Sequence, residues 1–387
     1  MNILKLIFRN TFRHRLRTFL TILGVAIAIL AFGLLRTVIS AWYAGVEASS
    51  AKRLVARNAV SLTLPLPLSY QEKIRQTEGV KAVSYGTWFG GIYLDEKHFF
   101  ANYAVEPRTY LAIYPEVIIP QDQLEAFYRD RKSAVAGRKL ADRYGWRIGR
   151  TVTLRGTIYP DPSQWEFVLR GIYRGRDENI DETAFFFHWE YLNETMKKVV
   201  PRRADQVGWY MIEADSPNIA PEVAMRIDKT FKNSLAETLT ETEKAFTMNF
   251  LAMAEAIIVA VQLVSFVIIF IIMAVVANTM SMTVRERIRE YAIFKTLGFG
   301  GFHIAGLILG ESLFITMLGS AIGILLTFPV AAIFSKELSA YFPIFNIETK
   351  TIYMDVTASI LVTLAAVVFP TWQAIRIRIA EALRRIG

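Results

Sequence analysis

Four long apolar runs divide the chain, and each is long enough to cross a membrane. They cover residues 19–35, which continue to 43 past the single charge of Arg36, and residues 256–282, 304–334 and 352–372. A helix of about 20 apolar residues spans the hydrocarbon core of a bilayer. The pattern therefore predicts an α-helical membrane protein with four transmembrane helices, of which the first occupies residues 18–43.

A basic amphipathic segment at residues 1–17 precedes the first run. Its apolar side chains recur at helical spacing, and Lys and Arg lie mostly on the other side. Such a helix lies in the plane of a membrane interface. A signal peptide is the alternative interpretation of this region. The charged lead is long and amphipathic, however, and no clear A-x-A site follows the apolar core, which favours a retained surface helix and a retained span.

Residues 44–254 have a different character, because short β-rich segments alternate there with helical stretches and are broken by Pro and Gly. The mixture predicts an external α+β domain, inserted between the first and second spans and large enough to have its own core. The predicted strands lie at 60–64, 80–85, 152–154, 167–172 and 209–213, and the predicted helices at 69–76, 107–113, 121–131, 138–144 and 217–236. Residues 217–250 contain no Pro or Gly after Pro221, which predicts a continuous helical stalk towards the second span.

A charged segment at residues 282–301, MTVRERIREYAIFKTLGFGG, separates the second and third runs. It is too charged for hydrocarbon, yet it keeps an apolar side. That side comprises Ile288, Tyr291, Ala292 and Phe294. The pattern is typical of a short amphipathic helix on a membrane surface, and we expect that helix at 284–297.

Small residues mark faces on which spans can approach closely. Gly24 and Ala28 share a face of the first span. The third span contains two G-x-x-x-G pairs, which are Gly306 with Gly310 and Gly319 with Gly323. Glycine at this spacing permits close contact between transmembrane helices. The two pairs lie on roughly opposite faces of a helix, so we expect the third span to pack against two neighbours.

Glu311 is a carboxylate inside the third predicted span. A charge within a membrane is costly and often has a function. One interpretation is that Glu311 reaches the inner interface and pairs with an arginine of the charged segment, which lies about two turns away. The other is a coupling or proton-relay residue. The ion pair is favoured, and both interpretations stay open from sequence alone.

The chain carries 44 Lys and Arg against 35 Asp and Glu, which gives a net charge of +9. The surplus lies in residues 1–17, 284–302 and 375–387, whereas residues 41–254 are nearly balanced. This distribution indicates membrane topology rather than nucleic-acid binding. The positive-inside rule places both termini and the charged segment in the cytoplasm and residues 44–254 on the outer side.

The sequence offers little for catalysis. It has no G-x-x-x-x-G-K-[ST], G-x-S-x-G or H-E-x-x-H motif, no cysteine, and four histidines without ligand spacing. The acidic run at 177–182 partly resembles the start of a calcium loop, but its sixth position lacks glycine and its twelfth is His188. A solvated turn is favoured there. We therefore expect no metal site, no nucleotide bound by this chain and no enzymatic activity of its own.

Three segments together resemble permeases of the MacB and FtsX type, the mechanotransmission (type VII) ABC transporters. The most specific is VRERIREYAIFKTLGFGGFHIAGLILGESLFITMLGSAIGILL at 284–326, and the others are VAGRKLADRYGWRIGRTVTLRG at 135–156 and FPTWQAIRIRIAEALR at 369–384. The order of one span, a large external domain and three further spans is also similar. Arg150 stands where Asp is usual, and Thr371 stands where Ala is common. Residues 86–130 and 175–210 match no part of the family pattern.

The resemblance implies that residues 255–387 form an FtsX-like permease domain that works as a pair, with an identical copy or a paralogue. It also implies a separate ABC ATPase in two copies, which would bind ATP and Mg²⁺. The charged segment would be a coupling helix that inserts into a groove on the ATPase, with its apolar side as the anchor. The coupling residues implied are Arg285, Glu286, Arg287, Ile288, Arg289, Glu290, Tyr291, Phe294, Lys295 and Gly298.

The spans contain almost no internal polar groups, which favours mechanical work over passage of a solute through the membrane. The expected function is export or extraction of an amphipathic cargo, such as a lipid, lipoprotein, peptide or hydrophobic drug, with the large domain periplasmic or extracellular at the inner (plasma) membrane. A periplasmic adaptor and an outer-membrane factor are further candidate partners. The alternative is an FtsX-like signalling protein that regulates cell-wall hydrolases without moving cargo.

Overall fold

The structure is a computed structural model that describes residues 11–159, 162–252, 254–337, 342 and 344–376. The chain folds as two compact units. The membrane unit comprises residues up to 40, 255–336 and those from 345 onward, and the sheet unit comprises residues 41–254 with 337–344. Residues 1–10 of the predicted surface helix and residues 377–384 of the closing family segment lie outside the described residues.

Four helices of the described chain are long and apolar enough to cross a membrane, which confirms the four predicted spans. The α-helices are α1 (Arg15–Ala48), α2 (Tyr70–Arg75), α3 (Pro107–Ile113), α4 (Gln121–Arg129), α5 (Arg138–Tyr144), α6 (Trp189–Val199), α7 (Ala220–Phe231), α8 (Glu243–Ala252), α9 (Glu255–Glu286), α10 (Ile288–Thr296), α11 (Gly301–Glu337) and α12 (Thr349–Ile375). The spans are α1, α9, α11 and α12. A backbone group in hydrocarbon finds no water to bind, so apolar runs of this length form continuous helices.

The sheet unit lies in sequence between α1 and α9, as predicted, and is built on a ten-stranded mixed sheet. Its strands are β1 (Arg53–Asn58), β2 (Leu66–Pro67), β3 (Val80–Trp88), β4 (Asn102–Val105), β5 (Val117–Ile118), β6 (Ser133–Gly137), β7 (Thr151–Arg155), β8 (Gln164–Gly175), β9 (Phe185–His188), β10 (Gln206–Val207), β11 (Trp209–Ala214) and β12 (Thr238–Thr242). The order is β12-β1-β11-β3-β4-β9-β6-β8-β5, and β7 pairs with β8. The β4–β9 and β6–β8 pairs are parallel, and β2 and β10 form a separate antiparallel ribbon.

Both faces of the large sheet are buried. Successive side chains of a strand point to opposite faces, and in β9 this places Phe185 and Phe187 in one apolar cluster and Phe186 in the other. Helices α2, α5, α6 and α7 contribute to the first cluster, and α3 and α4 contribute to the second. The sheet unit therefore has a core on each side of the sheet.

The predicted strand at 60–64 is wrong, although the other four predicted strands lie within β3, β7, β8 and β11. The strand instead ends at Asn58, whose side-chain Oδ1 accepts a hydrogen bond from the backbone N–H of Val60 at 2.9 Å. Val60 is 82% exposed, and Leu62 and Leu64 are exposed as well. Alternating apolar and polar residues predicted a strand here, but the apolar side chains have no buried surface to pack on, and the segment forms a turn instead.

The predicted continuous stalk at 217–250 is also wrong. Helix α7 ends at Phe231, Asn233 has a φ of +61°, and β12 intervenes before α8. β12 pairs with β1, and the Asp228 carboxylate of α7 accepts hydrogen bonds from the side chain of Thr238 and the backbone N–H of Thr240. The β-branched residues of β12 favour a strand over a helix.

Candidate coupling segment of the membrane unit

The charged segment contains a separate short helix, α10, because the chain turns on both sides of it. Helix α9 continues to Glu286, Arg287 follows with a φ of −103°, and α10 begins at Ile288 rather than at residue 284. Beyond α10, Gly298 has a φ of +91°, a left-handed conformation that glycine adopts readily. The Phe299 N–H donates to the carbonyl of Phe294 at 3.0 Å and closes this end.

One side of α10 is buried in the membrane unit itself. Tyr291 is 1% exposed and Ala292 is fully buried, and Tyr291 packs in the same apolar cluster as Ile304 and Ile308 of α11. Phe294 packs partly against this cluster. The expectation that Tyr291 and Ala292 anchor a partner is therefore corrected: the spans of this chain already cover them.

The opposite side of the segment is exposed and carries both charge and apolar surface. Its exposed apolar side chains, which sequence reasoning missed, are Ile293, Leu297, Phe299 and Phe302. Arg285, Glu286 and Arg289 are exposed on the same segment. Helical phase was the available signal, because Ile293 and Leu297 project roughly opposite to Tyr291 and Ala292 at 3.6 residues per turn.

Arg287 is the centre of a buried ion-pair cluster. Its Nη1 donates to Glu311 Oε2 at 2.8 Å, and its Nε donates to Glu290 Oε2 at 2.9 Å. The Arg287 and Glu311 side chains are 7% and 8% exposed. Glu290 also pairs with Arg13. The cluster thus joins the start of α10 to α11 and to the residues preceding α1, and Glu311 has the arginine partner that one interpretation expected.

Polar contacts near both ends of the segment also hold it in place. The Arg17 Nη1 of α1 donates to Glu286 Oε2 at 2.6 Å, and His14 Nε2 lies 3.6 Å from the same oxygen. Lys295 Nζ donates to the backbone carbonyl of Ile375, the last residue of α12, at 2.6 Å. A cation at a helix C-terminus satisfies carbonyls that the helix leaves open. Helix α10 is therefore tied to α11, to α12 and to the residues preceding α1, and the end of α9 is tied to α1 through Glu286.

The electrostatics favour the charged form of Glu290. Burial opposes ionisation of Glu290, but hydrogen bonds from Arg287 and Arg13 outweigh it and lower the pKa of this carboxyl. Burial also raises the pKa of Tyr291 to about 12, so its phenol stays neutral. The Arg287 guanidinium lies over the Tyr291 ring, 5.4 Å from the centroid. A neutral ring beside a buried guanidinium provides a cation–π contact.

Gly319 and Gly323 of α11 lie against α1. A Cβ at Gly319 would come within 2.9 Å of the Val25 side chain, and one at Gly323 within 2.6 Å of the Ala26 carbonyl oxygen. Real side chains do not tolerate such distances, so these two glycines permit the close approach of α1 and α11.

The other small residues named from sequence have more room. A Cβ at Gly24 would lie 3.9 Å from Val275 of α9, which is ordinary contact. Ala28 is partly buried against the membrane-unit core, and Gly310 is half-buried. A Cβ at Gly306 would meet no atom within 4 Å among the residues the structure describes. Close packing is thus concentrated at the second glycine pair.

The spans contain more buried polar side chains than sequence reasoning allowed, which corrects the expectation of an almost apolar interior. They include Thr18, Thr21, Thr37, Ser265, Thr283, Ser312, Thr316, Ser320, Thr327, Thr351, Asp355, Ser359 and Thr363. Several hydroxyls donate to a carbonyl one turn earlier, such as Thr327 to Gly323 at 2.9 Å and Thr363 to Ser359 at 2.6 Å. Ser320 also donates across to the Ser359 hydroxyl at 2.6 Å.

Asp355 of α12 is the charge-bearing residue that sequence reasoning missed. It is 2% exposed, its Oδ1 has no hydrogen-bond partner among the described residues, and its Oδ2 would lie 3.2 Å from a Cβ at Gly33 of α1. The available signal was the one that singled out Glu311, an acidic residue inside an apolar run. Within the described ranges, no group of three or more His, Asp or Glu side chains could hold a metal ion.

The helices that carry the Arg287 cluster match a known permease family. Residues 262–379 match the family model described as FtsX-like permease C-terminal. Residues 262–379 are thus similar to the C-terminal domain of FtsX-like permeases. Within the matched region, the FtsX-like domain contains most of α9 and all of α10, α11 and α12. Arg287, Glu290 and Glu311 all belong to it.

Relatives of the FtsX-like domain and its neighbouring unit occur among curated and solved proteins. Over 356 residues the chain is 23% identical to an uncharacterised ABC transporter permease of Methanocaldococcus jannaschii, covering 84% of this chain and 82% of that one. The periplasmic region of MacB from Actinobacillus actinomycetemcomitans is similar with a TM-score of 0.38 and 10% identity, covering 53% of this chain and 95% of that one. The extracellular domain of the noncanonic ABC-type transporter YknZ from Gram-positive bacteria gives 0.36 and 9%, covering 49% and 98%.

Proposed function

We propose that this chain is the permease subunit of an ABC transporter and that α10 receives the movement of a separate ATPase. The observation that carries the proposal is the buried Arg287, which holds α10 to α11 through Glu311 and, through Glu290, to Arg13 ahead of α1. A short helix whose start is fixed to α11 by a buried ion pair, and which has further polar contacts with its neighbours, transmits a displacement instead of absorbing it. The FtsX-like family match and the permease relative support this assignment.

The surface offered to the ATPase is the exposed side of the segment. Ile293 and Leu297 supply apolar contact, and Arg285 and Arg289 supply charge around it. A helix that inserts into a groove uses apolar anchors for affinity and rim charges for register and partner choice. In this arrangement Tyr291 acts indirectly, by fixing α10 on the spans.

The output of the movement is the sheet unit. Helix α1 is continuous from Arg15 to Ala48, and its last residues belong to the sheet unit. There Glu243, the first residue of α8, accepts hydrogen bonds from the Ser50 backbone N–H at 2.9 Å and from Arg53 Nε at 2.7 Å. The chain segments that enter and leave the sheet unit are thus clamped together, so a displacement of α1 would reach the sheet through this clamp.

The reaction driven in this way is export or extraction of an amphipathic cargo, such as a lipid, lipoprotein, peptide or hydrophobic drug. Two copies of the ATPase bind ATP and Mg²⁺, a second permease chain completes the pair, and both termini lie in the cytoplasm with the sheet unit periplasmic or extracellular. Mechanical work is favoured over a channel, because several of the buried hydroxyls of the spans are already bonded within their own helices.

The test is to isolate the chain from its native membrane and identify the proteins that accompany it in stoichiometric amounts. We expect an ABC ATPase whose hydrolysis rate rises when the permease is present in the same liposome. Absence of any ATPase would overturn the proposal. A cell-wall hydrolase as the stoichiometric outer partner would replace the transporter with the signalling alternative.

A further inference from the structure

A lateral groove in the membrane unit lies between α1, α9 and α12. Its volume is about 370 Å³, within the range of small-ligand sites. Phe32, Phe266, Ile269 and Leu361 are among its apolar walls, and Ala358 is one of its small residues. The groove thus has the lining expected for a hydrocarbon chain.

Two cations, Arg36 of α1 and Lys350 of α12, also line the groove. Arg36 Nε is buried without a hydrogen-bond partner, and its guanidinium lies 5.5 Å from the centroid of the Phe32 ring. Among the described residues neither cation forms an ion pair, and no acidic residue lines the groove. Arg36 lies within the span α1, where a charge is costly and normally has a counter-charge, whereas Lys350 is exposed at the start of α12. The two cations therefore leave room for an external anion.

Asp355 of the same helix α12 does not supply that anion. Its carboxyl is directed at Gly33 of α1, where a Cβ would also meet Thr327 of α11 at 3.3 Å. Asp355 is not among the residues of the groove, and it forms no ion pair with Arg36. The counter-charge has to come from outside this part of the chain.

The groove opens on a surface that faces lipid. Phe266, Tyr353 and Leu361 at its edge are 55%, 70% and 61% exposed, and all three belong to candidate spans. In a bilayer the molecules that contact such a surface are lipids. We propose that the groove binds an anionic phospholipid, with an acyl chain along the apolar walls and the phosphate between Arg36 and Lys350. The proposal depends on the membrane placement of the spans and not on coupling to an ATPase.

The test is lipid retention by the purified full chain, without ATPase. The protein in mild detergent is incubated with equal amounts of phosphatidylglycerol and phosphatidylcholine, and bound lipid is counted by native mass spectrometry. We expect roughly tenfold preference for phosphatidylglycerol, because each cation near an anionic headgroup adds to its affinity. Arg36→Gln/Lys350→Gln should abolish the preference. The control Arg15→Gln/Arg285→Gln, which removes two exposed cations of the same unit, should keep it.

Ala358→Trp provides the second arm, because it fills the groove while both cations remain. We expect it to lose retained lipid at an unchanged thermal midpoint, which separates a built groove from general surface charge. Equal retention of the two lipids by the native chain would overturn the proposal, as would equal loss in the control. A groove covered by a second copy of the chain would also overturn it, and would show as a dimer that retains no lipid and is dissociated by Ala358→Trp. These lipid-binding outcomes do not depend on the ATPase, so the proposed coupling function could fail without affecting them.

Discussion

Arg287 of the membrane unit and Arg53 of the sheet unit are the centres of two buried ion-pair clusters of the same composition. Each cluster joins one arginine to two glutamates and places the guanidinium over a tyrosine ring. Both arginine side chains are 7% exposed. Each also lies next to a helix end that, in our proposal, carries movement. The difference between the clusters is in the exposure of their acidic partners.

The Arg53 cluster is closed. Glu116 and Glu243 lie 2.7 Å from Arg53 nitrogens and are only 15% and 14% exposed, and Arg53 Nη1 also donates to the carbonyl of Ile113. All of these groups belong to the sheet unit. A cluster without an exposed member behaves as a static clamp.

The Arg287 cluster is open on one side. Glu311 is 8% exposed, but Glu290 is 33% exposed and is shared with Arg13, itself 59% exposed. A partner protein can therefore reach this cluster at Glu290 and change which arginine it favours. Of the two clusters, only the Arg287 cluster is accessible to a partner, and it is linked through Glu290 to Arg13 ahead of α1.

The largest effect is expected from Arg287→Met, which leaves Glu311 as an unpaired charge inside a span. Removing one member of a buried pair costs about 3–5 kcal/mol. The thermal midpoint in detergent should fall, and stimulation of the ATPase in liposomes should be lost. Arg287→Met/Glu311→Met should recover the stability without recovering stimulation. The exposed control Arg285→Met should keep the native midpoint, and full stimulation by folded Arg287→Met would contradict the proposed role.

Arg53→Met is expected to destabilise the sheet unit by about 3 kcal/mol, since it leaves two buried carboxylates without their partner. Stimulation of the ATPase should persist, because α10 and the Arg287 cluster are untouched. Thermal unfolding and ATPase assays on the full chain separate the two effects. Arg57→Met is the matched control on the same strand: its contact with Glu241 is longer, at 3.3 Å, and Arg57 itself is 17% exposed, so a smaller loss is expected. Equal losses of stability in Arg53→Met and Arg57→Met would show that the Arg53 cluster contributes no more to stability than an ordinary ion pair of the same strand.

Glu290→Lys should act on coupling more than on stability. The new cation would face Arg287 and Arg13, but a third of the side chain is exposed, so solvent limits the cost to about 1 kcal/mol. We expect ATPase stimulation to fall several-fold while membrane insertion stays intact. Glu290→Gln keeps the shape of the side chain and one acceptor oxygen. Its ATPase stimulation should therefore lie between those of the native chain and Glu290→Lys. A Glu290→Lys chain that stimulates normally would place the responsive contact elsewhere.

The smallest effect on stability is expected from protonating Glu290 at low pH. The pKa of Glu290 is lowered from its ordinary value of 4.5, so its ion pairs stabilise the fold above that value and are lost as pH falls through the lower folded pKa. The thermal midpoints of the native chain and Glu290→Gln should differ at pH 7, and the difference should shrink as the pH falls below 4.5. A difference that stays constant over this range would show that Glu290 does not titrate in this way.

Much of the fold could be predicted, because some signals are local. An apolar run long enough to cross a bilayer forms a continuous helix in hydrocarbon. Helices α3 and α5 were predicted within their observed bounds because local residues define their ends: Glu106 caps α3 ahead of Pro107, and Gly145 adopts a φ of +62° after α5. The stalk was not predictable in the same way. Absence of Pro and Gly permits a helix but does not require one, and β12 forms because β1 offers it a partner.

The candidate site was predictable in position but not in orientation. Mixed charge between two apolar runs indicated the position of the segment. Glu311 indicated an ion-pair partner, because an unpaired charge inside a span is costly. Helical phase separates two sides of α10, but apolar residues occur on both, so the sequence did not indicate which side would be buried. Packing by α11 decides that Tyr291 is inside and Leu297 outside. The role of Arg53 could not be predicted either, since its burial depends on elements distant in sequence.

The contact of Gly319 and Gly323 with α1 has a consequence for biosynthesis. Val25 and Ala26 leave the ribosome roughly 300 residues before the glycines that receive them. At about 5–20 residues per second, that delay is on the order of 15–60 s. Throughout it the first span lies in the membrane without its closest neighbour, while the whole sheet unit is translated. Assembly of the bundle must therefore wait for the third insertion event, and a chaperone or the insertion machinery has a long interval in which to hold the first helix.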